Sequence, residues 1–148
     1  MCALVRWAVT DDAVAIAECL AALGYGTPAT LVVEKIRAVS GSPSDAVFVA
    51  ELGDASIAGV VSVHVLPLFH APGSLARVTA LAVRVDRQRG GVGRALVAAA
   101  ESFAWAAGCR RVEVTSGDHR PGAHAFYERL GYLVDERRFI KRAPVLEP

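Results

Sequence analysis

Residues 75–107 read LARVTALAVRVDRQRGGVGRALVAAAESFAWAA, a strand, a glycine-bearing turn and an amphipathic helix in direct succession. Val, Leu and Ala fill positions 75–85 with little strict alternation, the pattern of a strand covered on both faces. Gln88-Arg89-Gly90-Gly91-Val92-Gly93 then puts three glycines at the mouth of the helix. Behind them Val92, Leu96, Ala99 and Phe103 recur at helical spacing, and Gly108 supplies a stop. The first turn of a helix carries backbone N–H groups without acceptors and the positive end of the macrodipole, so it attracts an anion. Glycine lets a phosphate approach the backbone and permits positive φ, while Arg89 and Arg94 add charge and donors. The stretch therefore predicts a pyrophosphate cradle, with a purely structural glycine turn as the alternative.

Two well-known cradles do not fit. A Walker loop ends in Gly-Lys-Ser/Thr, which is absent, and a dinucleotide G-x-G-x-x-G would need glycine where Leu96 stands. The wider chain narrows the class further. Its 148 residues are 53% apolar, which predicts one domain with a real core and excludes a disordered chain. Sixteen basic residues against fifteen acidic leave a formal charge of +1, a balance that calls for neither nucleic acid nor a membrane surface. The apolar run 57–69 is broken by Gly59, Ser62 and His64 and is too short to cross a bilayer. Arg6 and Asp11-Asp12 come too early for a signal peptide, and Cys2, Cys19 and Cys109 lack framework spacing; a reduced, cytoplasmic setting is the expectation. Cys19 and Cys109 read as small buried apolar residues.

Outward from the central stretch, residues 4–9 predict a strand, and Thr10 or Asp11 would cap a helix running to Leu23. A second helix is expected over 29–39, then strands over 46–52 and 56–66 joined by Gly53-Asp54. Downstream, 110–115 makes a strand parallel to the central one, because a helix lies between them. Residues 116–120 form a loop, Pro121 opens a helix to about Leu130, and 132–134 with 138–142 give a last strand or hairpin.

Residues 88–93 fit Q/R-x-x-G-x-G/A, and some thirty residues on stands Ala123-x-x-Phe126-Tyr127-x-x-x-Gly131-Tyr132. Together with the element order and the opening Arg6-x-Ala8, these motifs make the whole chain resemble the GNAT superfamily of acetyl-CoA-dependent N-acetyltransferases. The resemblance implies an α/β (α+β) fold, with a mixed, mostly antiparallel sheet of six or seven strands flanked by about four helices. It also implies acetyl-CoA as cosubstrate. The pantetheine arm would pair with the backbone of Leu81, Ala82 and Val83 by strand addition. Gln88, Arg89, Gly90, Gly91, Val92, Gly93 and Arg94 would hold the pyrophosphate. By the same resemblance Tyr127 is the catalytic candidate: a phenol of ordinary pKa near 10 keeps its proton at neutral pH and can give it to a leaving thiolate. Its structural alternative is an amphipathic core residue with a satisfied hydroxyl.

Two departures stand out. Where members often have Asn near the start of the last helix, this chain has Arg120, which could reach a CoA phosphate instead. Where many carry Glu or Asp in the strand before the loop as general base, Arg77, Thr79 and Ala80 stand. His64, His70, Glu51, Glu113 and His119 remain as candidate bases, with His64 most simply a hydrogen-bonded core or rim residue. The histidines show no metal-ligand spacing. A narrower similarity, R-x-x-A-H-x-F-Y at Arg120 to Tyr127, extends to small bacterial members including an aminoalkylphosphonate acetyltransferase, and decides no substrate. The expectation is direct acetyl transfer to a primary amine, a small molecule being favoured over a protein amine. A CoA-binding regulatory module without turnover is the rival, and homodimerisation, common among members, is a further expectation.

Overall fold

β1 (Leu4–Trp7), β2 (Asp45–Glu51), β3 (Ile57–Pro67), β4 (Ser74–Val83) and β5 (Cys109–Val114) pair side by side in chain order in the computed structural model, which describes residues 3–115, 121–135 and 138–144. The first three pairings are antiparallel and β4–β5 is parallel. Helices α1 (Ala13–Ala21), α2 (Ala29–Val39), α3 (Val92–Ala106) and α4 (Pro121–Arg129) complete a mixed α/β fold. The chain divides into two compact units, Met1–Thr115 and Ser116–Pro148; the sheet with α1–α3 belongs to the first and α4 to the second.

In the first unit the sheet buries both faces. Ala46, Phe48 and Ala50 of β2, Val61 and Val63 of β3, and Ala76 and Val78 of β4 form one core with Val92, Leu96, Ala100 and Ala104 of α3. Val49, Val60 and Ala82 pack on the opposite face with Ile16 and Cys19 of α1 and Val32 and Ile36 of α2. Unbroken burial is therefore clearest in the first half of β3, where every residue from Ile57 to Val61 is buried. Gly59 matters at this point. A methyl group there would stand 2.8 Å from Leu96 Cδ1 and 2.9 Å from the Ala82 carbonyl oxygen, so only glycine lets the start of α3 seat against β3 and β4.

Three expectations are corrected. Neither Thr10 nor Asp11 caps α1; the chain enters through a 3-10 turn, and Asp12 reaches back to accept the Val9 N–H at 2.8 Å. The sheet holds five strands among the described residues rather than six or seven. No strand forms over 132–135 or 138–144, although Tyr132-Leu133-Val134 has strand propensity, because a strand needs a neighbour's ladder and Leu133 and Val134 stand exposed. The expected loop 116–120 lies outside the described residues. In the second unit Gly131 (φ +92°) ends α4 as expected: Tyr132 N–H donates to the Tyr127 carbonyl and Gly131 N–H to that of Glu128, both at 3.0 Å.

One irregularity positions the site. Ser62 lies opposite Ala80 and Val63 opposite Val78, so Thr79 is an extra residue in β4, a β-bulge. β5 pairs with β4 only as far as Val78. From Thr79 to Val83 one edge of β4 has no partner strand among the described residues.

Candidate active site

The loop between β4 and α3 is built from backbone. Gly91, the residue before the helix, has φ +86°, and Arg89 holds φ +69°, a left-handed conformation that a residue with a side chain rarely adopts. Two left-handed residues flanking Gly90 bend the chain into a concavity of N–H groups. Among the described residues none of the backbone N–H groups from Gln88 to Arg94 has an acceptor; the first intrahelical bond is Ala95 N–H to the Gly91 carbonyl at 3.1 Å. No other atom lies within 4 Å of where a Cβ on Gly91 would sit. Arg89 and Arg94 are exposed and bond to no described residue, whereas Asp86 is neutralised by Arg84 at 2.7 Å, a pairing that holds its carboxyl below the usual range. The concavity is thus electropositive and lined by free donors, which is what a pyrophosphate requires.

Leu81, Ala82 and Val83, expected to pair through their backbone, lie on the stretch of β4 beyond its pairing with β5. Leu81 and Val83 pack against the α3-side core and Ala82 against the other, so their side chains are committed and only the backbone of the open edge is available. Gln88 behaves differently from its neighbours: its side-chain amide donates to the Val83 carbonyl at 3.2 Å and ties the loop to the end of β4. Tyr127, in the second unit, is half-buried with ring contacts to Phe126 at 5.1 Å and Tyr132 at 5.7 Å. Burial pushes its pKa up to about 12, so the hydroxyl keeps its proton at neutral pH. Arg120 lies outside the described residues, as do His119 and Cys2.

The candidate bases separate sharply. Glu51 is bonded to Arg6 at 3.3 Å. Glu113 takes Arg77 at 2.8 Å and Arg111 at 2.6 Å, and the Arg77 bond leads in holding its carboxyl low. His70 is exposed on the β3–β4 connection. His64 lies 2.7 Å through Nδ1 from Asp45 Oδ1 and 2.8 Å through Nε2 from Thr79 Oγ1, and Thr79 Oγ1 lies 2.7 Å from Ser62 Oγ. Asp45, Ser62 and Thr79 were not singled out from sequence as one group. The signal was faint: two polar residues, Ser62 and His64, two apart in an otherwise apolar strand. Cys19 and Cys109 are buried thiols with raised pKa, Cys19 to about 11, and so are not thiolate nucleophiles.

Residues 8–132 match the family model described as the acetyltransferase (GNAT) family. The chain belongs to the GNAT family. Solved structures bear out the fold. A transcriptional regulator from Bacillus halodurans C-125 superposes with TM-score 0.85 at 22% identity, covering 95% of this chain and 99% of that one. A GNAT family acetyltransferase from Staphylococcus aureus gives 0.79 at 17%, covering 97% and 100%. An aminoglycoside acetyltransferase from an uncultured soil metagenomic sample, in complex with sisomicin, gives 0.75 at 22%, covering 98% and 97%. No curated protein matches the sequence significantly. Within this GNAT chain, the loop and Tyr127 stand on the two motifs read from sequence.

Proposed function

We propose that the protein is an N-acetyltransferase that moves the acetyl group of acetyl-CoA directly to a primary amine, a small molecule being favoured, with no covalent enzyme intermediate. The observation that carries this reading is the run of N–H groups from Gln88 to Arg94 that have no acceptor among the described residues, beside the edge of β4 that no described strand pairs. The loop would hold the pyrophosphate, the backbone of Leu81, Ala82 and Val83 the pantetheine, and Arg120 a further phosphate. Acetyl-CoA supplies an activated thioester carbon. Tyr127, protonated across the neutral range, donates to the departing sulfur. Family membership supports acetyl transfer, and a neighbour of this fold acetylates aminoglycosides, which favours a small amine.

The test is calorimetric titration with acetyl-CoA. Wild type should bind, and Gly91→Glu should lose at least about 100-fold in affinity, since a β-carbon at positive φ and a negative charge both oppose the pyrophosphate. Equal binding by both proteins would remove the cradle. Thiol release over an amine panel separates this enzyme from a CoA-binding module without turnover.

A further inference from the structure

The site has no carboxylate in β4, yet an amine must lose a proton to become an amide. The β4 bulge places Thr79 where β5 leaves the strand, two residues before the segment expected to pair with pantetheine. Its exposed hydroxyl is the outer end of a hydrogen-bonded chain through His64 to Asp45 on the α1/α2 face of the sheet. Asp45, His64 and Arg77 stand directly opposite one another on β2, β3 and β4. Arg77 in turn donates to Glu113 of β5, which turns its charge away along the row.

We propose that Thr79 and His64 form the proton path for the acceptor amine, with Asp45 as the positioning residue; the assignment rests on the acetyl-transfer reading above. Donor counting fixes the direction. Asp45 is held ionised, first by the Ser42 hydroxyl and then by His64, so it can only accept and Nδ1 must carry hydrogen. A neutral ring then offers its Nε2 lone pair to the Thr79 O–H. Ser62 donates to Thr79 Oγ1, which leaves one oxygen lone pair for the N–H of an amine. In the step, the amine nitrogen bonds to the acetyl carbon as the carbon–sulfur bond breaks. One proton of the neutral amine passes to Thr79 Oγ1 while the hydroxyl's own proton goes to Nε2. The sulfur takes a proton from Tyr127, and both groups reset by exchange with water. Asp45 holds the imidazolium so formed.

The experiment follows thiol release from acetyl-CoA with sisomicin, spermidine, phenylethylamine and lysine, for wild type, His64→Gln, Asp45→Asn, Thr79→Val and Thr79→Ser. For whichever amine is acetylated, wild-type kcat/KM should show an acid limb. His64→Gln should abolish that limb and lower kcat about 100-fold or more, with acetyl-CoA affinity unchanged. Thr79→Val should lose a similar factor and Thr79→Ser should recover it, which keeps the test alive if the histidine variant folds poorly. Two-dimensional nitrogen–proton NMR should find the neutral His64 ring protonated on Nδ1. Turnover in His64→Gln within tenfold of wild type with the acid limb intact, or a neutral ring protonated on Nε2, would overturn the proton path while sparing acetyl transfer. No turnover by wild type with any amine would overturn acetyl transfer itself, and the path with it.

Discussion

Asp12 and Asp45 are both aspartates held below the usual carboxylate range, and both sit beside a basic partner, yet they belong to different kinds of network. Asp12 is 7% exposed and saturated: Arg6 donates to both of its oxygens at 2.9 Å, and the Val9 N–H adds a third bond at 2.8 Å. Every partner is fixed by the fold, and the network ends on the backbone of Trp7 and Val9 and on Glu51, which Arg6 also holds. Asp45 takes two serine hydroxyls and an imidazole, and the far side of that imidazole leads to an exposed hydroxyl. A lowered pKa thus marks either a staple or a charge that serves another group, and only the end of the chain of bonds tells which.

Removing the staple should have the largest effect on the fold. Asp12→Ala takes away one partner of a paired, nearly buried charge, which costs about 2–3 kcal/mol once the 31% exposure of Arg6 is allowed for. Urea unfolding measures it, and the pH dependence of any turnover should not change. A loss under about 0.5 kcal/mol would erase the contrast between the two networks. Acid titration sharpens the same point. Because the Asp12 carboxyl is held low in the folded chain, first by its bond to Arg6, the unfolded chain binds more protons as pH falls. Its stabilisation is complete above about pH 4 and is lost as pH drops through the lower folded value. In Asp12→Ala the fall in urea midpoint below pH 4 should be correspondingly shallower; an identical fall would place the acid sensitivity elsewhere.

How much of this was legible in the sequence depends on how local each feature is. Gly91, Arg89 and the free N–H run follow from one strand-to-helix turn, and the Gly131 stop from one helix end, so a contiguous motif announces them. The sequence offers Thr10 or Asp11 as the cap and passes over Asp12, because a 3-10 turn precedes α1 and shifts which carboxylate reaches back. The Asp45, His64 and Thr79 chain leaves only the faint signal of two polar residues in β3, Ser62 and His64. It depends on the register of three strands and on an extra residue in β4, and register is a property of pairing that no single strand carries. The absent last strand failed for a related reason: propensity was visible and a partner was not.

The smallest expected effect comes from Ser42, whose hydroxyl donates to Asp45 Oδ2 at 2.7 Å and is the leading influence holding that carboxyl low. Ser42→Ala leaves Ser44 and His64 on Asp45, so stability should change by less than about 1 kcal/mol and kcat by only a few-fold. The informative quantity is the acid limb of kcat/KM. A carboxylate that has lost one hydroxyl donor has more charge to share with the Nδ1–H, which favours the imidazolium. The limb should therefore move to higher pH. A limb that stays in place would mean that Asp45 only orients the ring. A limb that moves to lower pH would break the chain at its inner end, because losing the Ser42 hydroxyl would then have weakened the Asp45–His64 bond instead of strengthening it.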